Sequence, residues 1–142
     1  MISVVDEALI LAKSDLATSM HDPTEGGIVG GVAEIAYASG KGVEIWEESI
    51  PIAPETREIV QAVGIDPLRL ISSGSLIATI PRDRVEEAIK ILRMRGVGAS
   101  VIGRVLPSGS DVMLVKKDGT RMKIPMHVAD EIYRVSEIVR IV

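Results

Sequence analysis

The sequence predicts an α+β domain in which helices pack on a mixed β-sheet. Three observations carry this. Segments of helical periodicity alternate with short strand-like runs, residues 75–105 read as a strand–helix–strand unit, and Asp118-Gly119 between two apolar runs is a hairpin signature. The 142 residues are the length of one domain, enough to bury roughly two thirds of the surface the unfolded chain exposes.

Ser3 followed by Asp6 has capping-box character, and Val5, Ala8, Leu9 and Ala12 continue with helical spacing, so a helix is expected over 3–16. Residues 17–21 read as a connection. Asp22 as N-cap, Pro23 at the first helical position and Glu25 at the third then predict a second helix over 23–38, ending before Gly40. GVEIW (42–46) alternates as a strand, and Pro51 and Pro54 precede a short helix over 55–63 that stops at Gly64. After the turn-rich 66–75, LIATI (76–80) reads as a buried strand. Pro81 then opens a helix whose Val85, Ala88, Ile89 and Leu92 share one face, with Glu86 and Lys90 as an i, i+4 pair. Strands are expected over 99–105, 111–115 and 120–124, the last two joined by the hairpin, with a terminal helix from about 127.

Composition excludes several functions. Sixteen Lys and Arg against twenty Asp and Glu give a net charge of −4, without a basic stretch that would track a phosphate backbone. One Trp, two Tyr and no Phe leave almost no rings for base stacking, so no nucleic-acid partner is expected. The absence of Cys removes disulfides, thiolate zinc sites and a cysteine nucleophile, and two His alone do not make a catalytic zinc site. No apolar run reaches the ~20 residues of a membrane span and none reads as a signal peptide, which points to the cytoplasm. A core of Val, Ile, Leu and Ala under a Glu-, Lys- and Arg-rich surface is the balance of thermophilic proteins.

The segment HDPTEGGIVGG demands an explanation, because Gly26, Gly27, Gly30 and Gly31 fall within a predicted helix. At about 0.8 to 1.0 kcal/mol each relative to Ala, four helix-interior glycines cost up to ~4 kcal/mol. Two accounts fit. Gly26 and Gly27 bare the amides of a helix N-terminus so that a phosphate approaches closely, or the four-residue spacings let the helix lie tightly against its neighbours. His21 is a candidate donor to an anion. Asp22 and Glu25 are helix caps first; together they would supply carboxylates to Mg²⁺ only by giving up those caps, so no metal site is assigned. Ser72, Ser73, Gly74 and Ser75 form either a plain turn or a concavity of main-chain amides for an anion. Glu44, Glu47 and Glu48 around Trp46 read as a solvated strand edge, Trp46 as a local core anchor, and His127 as structural.

HDPTEGGIVGGVAEIAYASG, the IPI segment at Pro51, and ETREIVQAVGIDPLRLISSGSLIATI together resemble the C-terminal domain of the aminoimidazole-ribonucleotide (AIR) synthetase superfamily, in its HypE-like, AIR synthase-related branch, over about residues 3–139. The resemblance implies a three-layer α/β/α unit, partly ferredoxin-like, from a two-domain, homodimeric, ATP-dependent enzyme. In such an enzyme an N-terminal domain, absent from this chain, holds most of the ATP and Mg²⁺, and the C-terminal domain closes over the phosphate end of the cleft. The isolated domain is then expected to be inactive and to bind no cofactor by itself. Matching positions carried over for phosphate or substrate are Asp22, Thr24, Gly26, Gly27, Gly74 and Ser75, with His21, Glu25 and Ser73 as further candidates; no catalytic residue is assigned. Two departures stand out. Glu25 replaces the arginine usual in the HypE-like first motif, and Ser72–Ser75 replaces an Asn-Glu-Gly-Lys second motif whose acidic residue would act as base. The chain also ends Val139-Arg140-Ile141-Val142 without the terminal cysteine of hydrogenase-maturation members. A stand-alone anion-binding or regulatory module is the alternative, and a hydrogenase-maturation fragment a further one. Apolar Ile138, Val139, Ile141 and Val142 are candidates for docking on the missing half or a second copy.

Overall fold

The computed structural model describes residues 2–139. Helix α1 (Val5–Lys13) leads into strand β1 (Ser19–His21), helix α2 (Gly27–Ser39), strand β2 (Val43–Trp46), helix α3 (Pro54–Val63), strand β3 (Ile77–Thr79) and helix α4 (Val85–Arg93). Strands β4 (Gly103–Val105), β5 (Val112–Val115) and β6 (Arg121–Ile124) follow, then helix α5 (Ile132–Val139). The expected mixed sheet is present in the order β4-β2-β5-β6, with β2 and β5 parallel and the outer pairs antiparallel. A separate ribbon pairs β1 with β3, Met20 opposite Ala78.

The apolar pattern builds two cores. Val29, Val32, Ala33 and Ala36 of α2 pack on Val43, Ile45, Val112, Leu114 and Ile124 of the sheet. Leu11 and Leu16 meet Ala88 and Leu92, joining α1 to α4. Strand β3 serves both: Ile77 enters the first core, while Leu76, Ala78 and Ile80, pointing the other way by strand alternation, line the second. The ribbon therefore has helices on both faces, the α/β/α layering expected. No helix among the described residues is long and apolar enough to cross a membrane.

Several expectations are corrected. The first helix begins at Val5, and Ser3 only accepts a 3.4 Å hydrogen bond from the Val5 amide, with no side-chain cap on the helix. Asp22 is not a helix N-cap and Glu25 is not at its third position, because α2 starts at Gly27. Residues 19–21, expected as connection, pair with β3 instead, a long-range contact that local propensity cannot register. The strand–helix–strand unit does not form one sheet, since β3 lies in the ribbon and β4, shortened to 103–105, at an edge of the main sheet. The ion pair at the start of α4 joins Arg84 to Glu87. The terminal helix starts at Ile132, and His127 is exposed in the irregular segment before it. The hairpin is as expected: Gly119 has φ +83° and Asp118 accepts the Thr120 amide at 2.8 Å, a bond that lowers the Asp118 pKa. The side chains of Ile138 and Val139, and Ile141 and Val142 altogether, lie outside the described residues.

Candidate functional site

Downstream of β1 the chain turns through buried Pro23 and exposed Thr24 and Glu25, then through Gly26 and Gly27 with φ of +73° and +62°. Two successive left-handed residues explain the pair, since a Cβ disfavours that conformation. Space gives the same answer: a Cβ on Gly26 would lie 2.8 Å from the Val128 carbonyl oxygen, and one on Gly27 2.6 Å from the carbonyl oxygens of both Leu68 and Leu70. Gly31 lets Pro23 and Ile77 approach, and Gly30 faces the Glu25 carbonyl.

This corrects the account in which bare glycines open a helix N-terminus to a guest. Gly26 and Gly27 are buried, and the Gly26 amide donates at 2.8 Å to Asp130 Oδ2. The glycines serve backbone geometry and close packing, and a carboxylate of the same chain takes the amide.

The second motif is drawn against the first. A 3-10 turn over Pro67–Arg69, capped by Asp66 Oδ1 accepting the Leu68 amide at 2.9 Å, carries the chain past Gly27. The Thr24 carbonyl then accepts amides from both motifs, Ser72 at 3.3 Å and Gly27 at 3.4 Å. Ser72 Oγ donates to the Leu70 carbonyl at 2.9 Å, the Ser75 amide donates to the Ser72 carbonyl at 3.0 Å, and Gly74 turns at φ +91° against Ile2. Asp22, Thr24, Glu25, Ser73 and Gly74 are exposed and Ser75 is half-buried, and the Ser72–Thr24 backbone bond sets the two segments side by side.

The remaining candidates separate. His21 is directed to Glu34 of α2 by a 2.5 Å contact between Nε2 and Oε2, a bridge between ribbon and helix. Glu25 accepts the Tyr133 hydroxyl at 3.2 Å; the nearby carboxylate charge and that hydrogen bond push the Tyr133 phenol above its usual range. Asp130 and Tyr133 were not candidates from the sequence. The spacing Asp130-x-Ile132 before an apolar run signals a helix start, and Asp130 Oδ1 does accept the Ile132 amide at 2.7 Å, but nothing local announces a partner 104 residues away.

Glu44 departs from expectation too. It is only 4% exposed, held by Arg104 at 3.0 Å and Arg121 at 2.5 Å, and Trp46 donates to it at 3.4 Å. Burial works to raise the Glu44 pKa; hydrogen bonds from Arg121 and Trp46 with the charges of both arginines outweigh it, and the net direction is down. Among the described residues no group of three or more His, Asp or Glu is placed to hold a metal.

Carbamoyl dehydratase HypE of Rhodobacter capsulatus is 30% identical over 130 residues, 89% of this chain and 38% of that protein. The crystal structure of Escherichia coli HypE, a hydrogenase maturation protein, superposes with a TM-score of 0.80 at 26% identity, covering 93% of this chain and 41% of that one. HypE in complex with ATP gives a TM-score of 0.71 at 29% identity, over 78% of this chain and 36% of that one. The chain thus spans about two fifths of the length of these relatives. Residues 2–116 match the family described as AIR synthase related protein, C-terminal domain, and the chain belongs to that family.

Proposed function

We propose that this domain acts as the C-terminal half of an ATP-dependent, HypE-like enzyme and closes over the phosphate end of its active-site cleft. The observation that carries this is the junction at Thr24, whose carbonyl ties the Gly26-Gly27 turn and the Ser72–Ser75 loop into one exposed rim. The rim offers neutral donors: the hydroxyls of Thr24, Ser73 and Ser75 and the Gly74 amide. Such groups orient a phosphoryl group, and orientation with electrostatic stabilisation is most of what phosphoryl transfer asks of a protein. Gly26 and Gly27 act behind the rim by setting its shape, and Asp22 and Glu25 flank it.

ATP with Mg²⁺ is held mainly by a domain outside this chain, and Asp22 and Glu25 act here as neighbours of the rim rather than as metal ligands. In the working enzyme that domain and a second copy of the chain are the partners, in the cytoplasm. The test is ATP turnover by the complete polypeptide with carboxamide and ribonucleotide acceptors. Thr24→Val with Ser73→Ala should raise the KM for ATP or the phosphate-bearing acceptor roughly three- to tenfold, the worth of a neutral hydrogen bond or two; unchanged KM values for both overturn the reading.

A further inference from the structure

Asp130 is a carboxylate only 4% exposed, and the hydrogen bonds it accepts come from backbone amides. One oxygen takes the Gly26 amide at 2.8 Å and the other the Ile132 amide at 2.7 Å, so a single side chain joins the starts of α2 and α5. The segment around it is fastened to the same region at three further points. The Glu131 amide donates to the Arg69 carbonyl at 3.1 Å, Val128 packs on Gly26 and Gly30, and the Tyr133 hydroxyl reaches Glu25. All four residues lie beyond residue 116, where the family match ends.

We propose that Asp130 is a positioning residue for the candidate site. By holding the Gly26 amide it fixes the two left-handed glycines, and through them the Thr24 carbonyl that seats Ser72. The C-terminal segment is thereby part of the site's framework although it lies beyond the end of the family match. This rests on the reading of the Thr24 rim as a ligand surface, and the test separates the two.

In the complete polypeptide, Asp130→Ala should speed hydrogen exchange at the Gly26 amide about ten- to a hundredfold, the range of a hydrogen bond to a charged acceptor. It should raise the KM for ATP or the phosphate-bearing acceptor with kcat nearly unchanged. Asp130→Asn keeps the volume but only one acceptor oxygen for two amides, so it should speed exchange at the Gly26 or the Ile132 amide and fall between Asp130→Ala and wild type in KM. Leu92→Ala, in the other core, should lower stability without moving either readout. If Asp130→Ala does not fold, Asp130→Asn decides: faster exchange at the Gly26 or the Ile132 amide supports the inference, and wild-type exchange at both overturns it. Unmoved Gly26 exchange in Asp130→Ala overturns it. Loss of protection at Gly26 with the KM for every ligand unmoved leaves Asp130 shaping the turn and overturns the ligand role of the rim.

Discussion

Gly27 and Gly64 share a left-handed backbone, φ +62° and +68°, but only the first is crowded. A Cβ on Gly64 meets nothing within 4 Å, whereas on Gly27 it presses two backbone carbonyls that cannot swing away. Gly64→Ala should therefore cost only the conformational penalty, about 1–2 kcal/mol. Gly27→Ala adds overpacking and should cost roughly 2–5 kcal/mol. Denaturant unfolding of both variants checks this, and equal losses would show that the carbonyls of Leu68 and Leu70 yield. Glu44 makes a second prediction at this scale. Its pKa in the fold is lowered, so the stability it contributes is present above the ordinary glutamate value of about 4.3 and disappears as pH falls through the lower folded value. Unfolding free energies at pH 7 and at steps below pH 4.5 should fall more steeply for wild type than for Glu44→Gln, which cannot titrate. Sequence alone presents Glu44 as one more charge on a strand edge, because its arginines arrive from β4 and β6, 60 and more residues later in the chain.

Elements whose causes are local were legible. The periodic face of α4, the Gly64 stop of α3 and the Asp118-Gly119 hairpin each follow from residues within one or two turns of chain. The start of α2 is not legible locally, for the opposite reason. Asp22, Pro23 and Glu25 have helix-start chemistry, but β1 pairs with β3 and holds the chain extended up to His21, and two left-handed glycines then intervene. The same holds for the site: both motifs were identified from composition, while the Thr24 carbonyl that joins them and the Asp130 carboxylate behind them depend on contacts across 48 residues or more. If pairing rather than capping fixes this region, Asp22→Ala should change stability by less than about 0.5 kcal/mol, below the ~1 kcal/mol typical of a lost N-cap. A loss near 1 kcal/mol or above in denaturant titrations would restore Asp22 as a cap.

At the scale of the molecule, β3 is the wall between the two cores, with Ile77 on one side and Ala78 on the other. A three-residue ribbon strand is too slight to stand alone, and most of its stability comes from helices on both faces. The two cores should consequently unfold in one transition although their side chains are separate sets. Ile45→Val in the sheet core should cost about 0.5–1.5 kcal/mol and Leu92→Ala in the helical core about 2–5 kcal/mol. Because the two residues belong to different clusters, the double variant should equal the sum of the single losses within about 0.5 kcal/mol. Fluorescence of Trp46, which sits on the sheet, and circular dichroism of the helices should give coincident midpoints in every variant. Separate midpoints would mean that the ribbon divides the domain, and then α1 with α4 would open while the Thr24 rim, built on α2, stays folded.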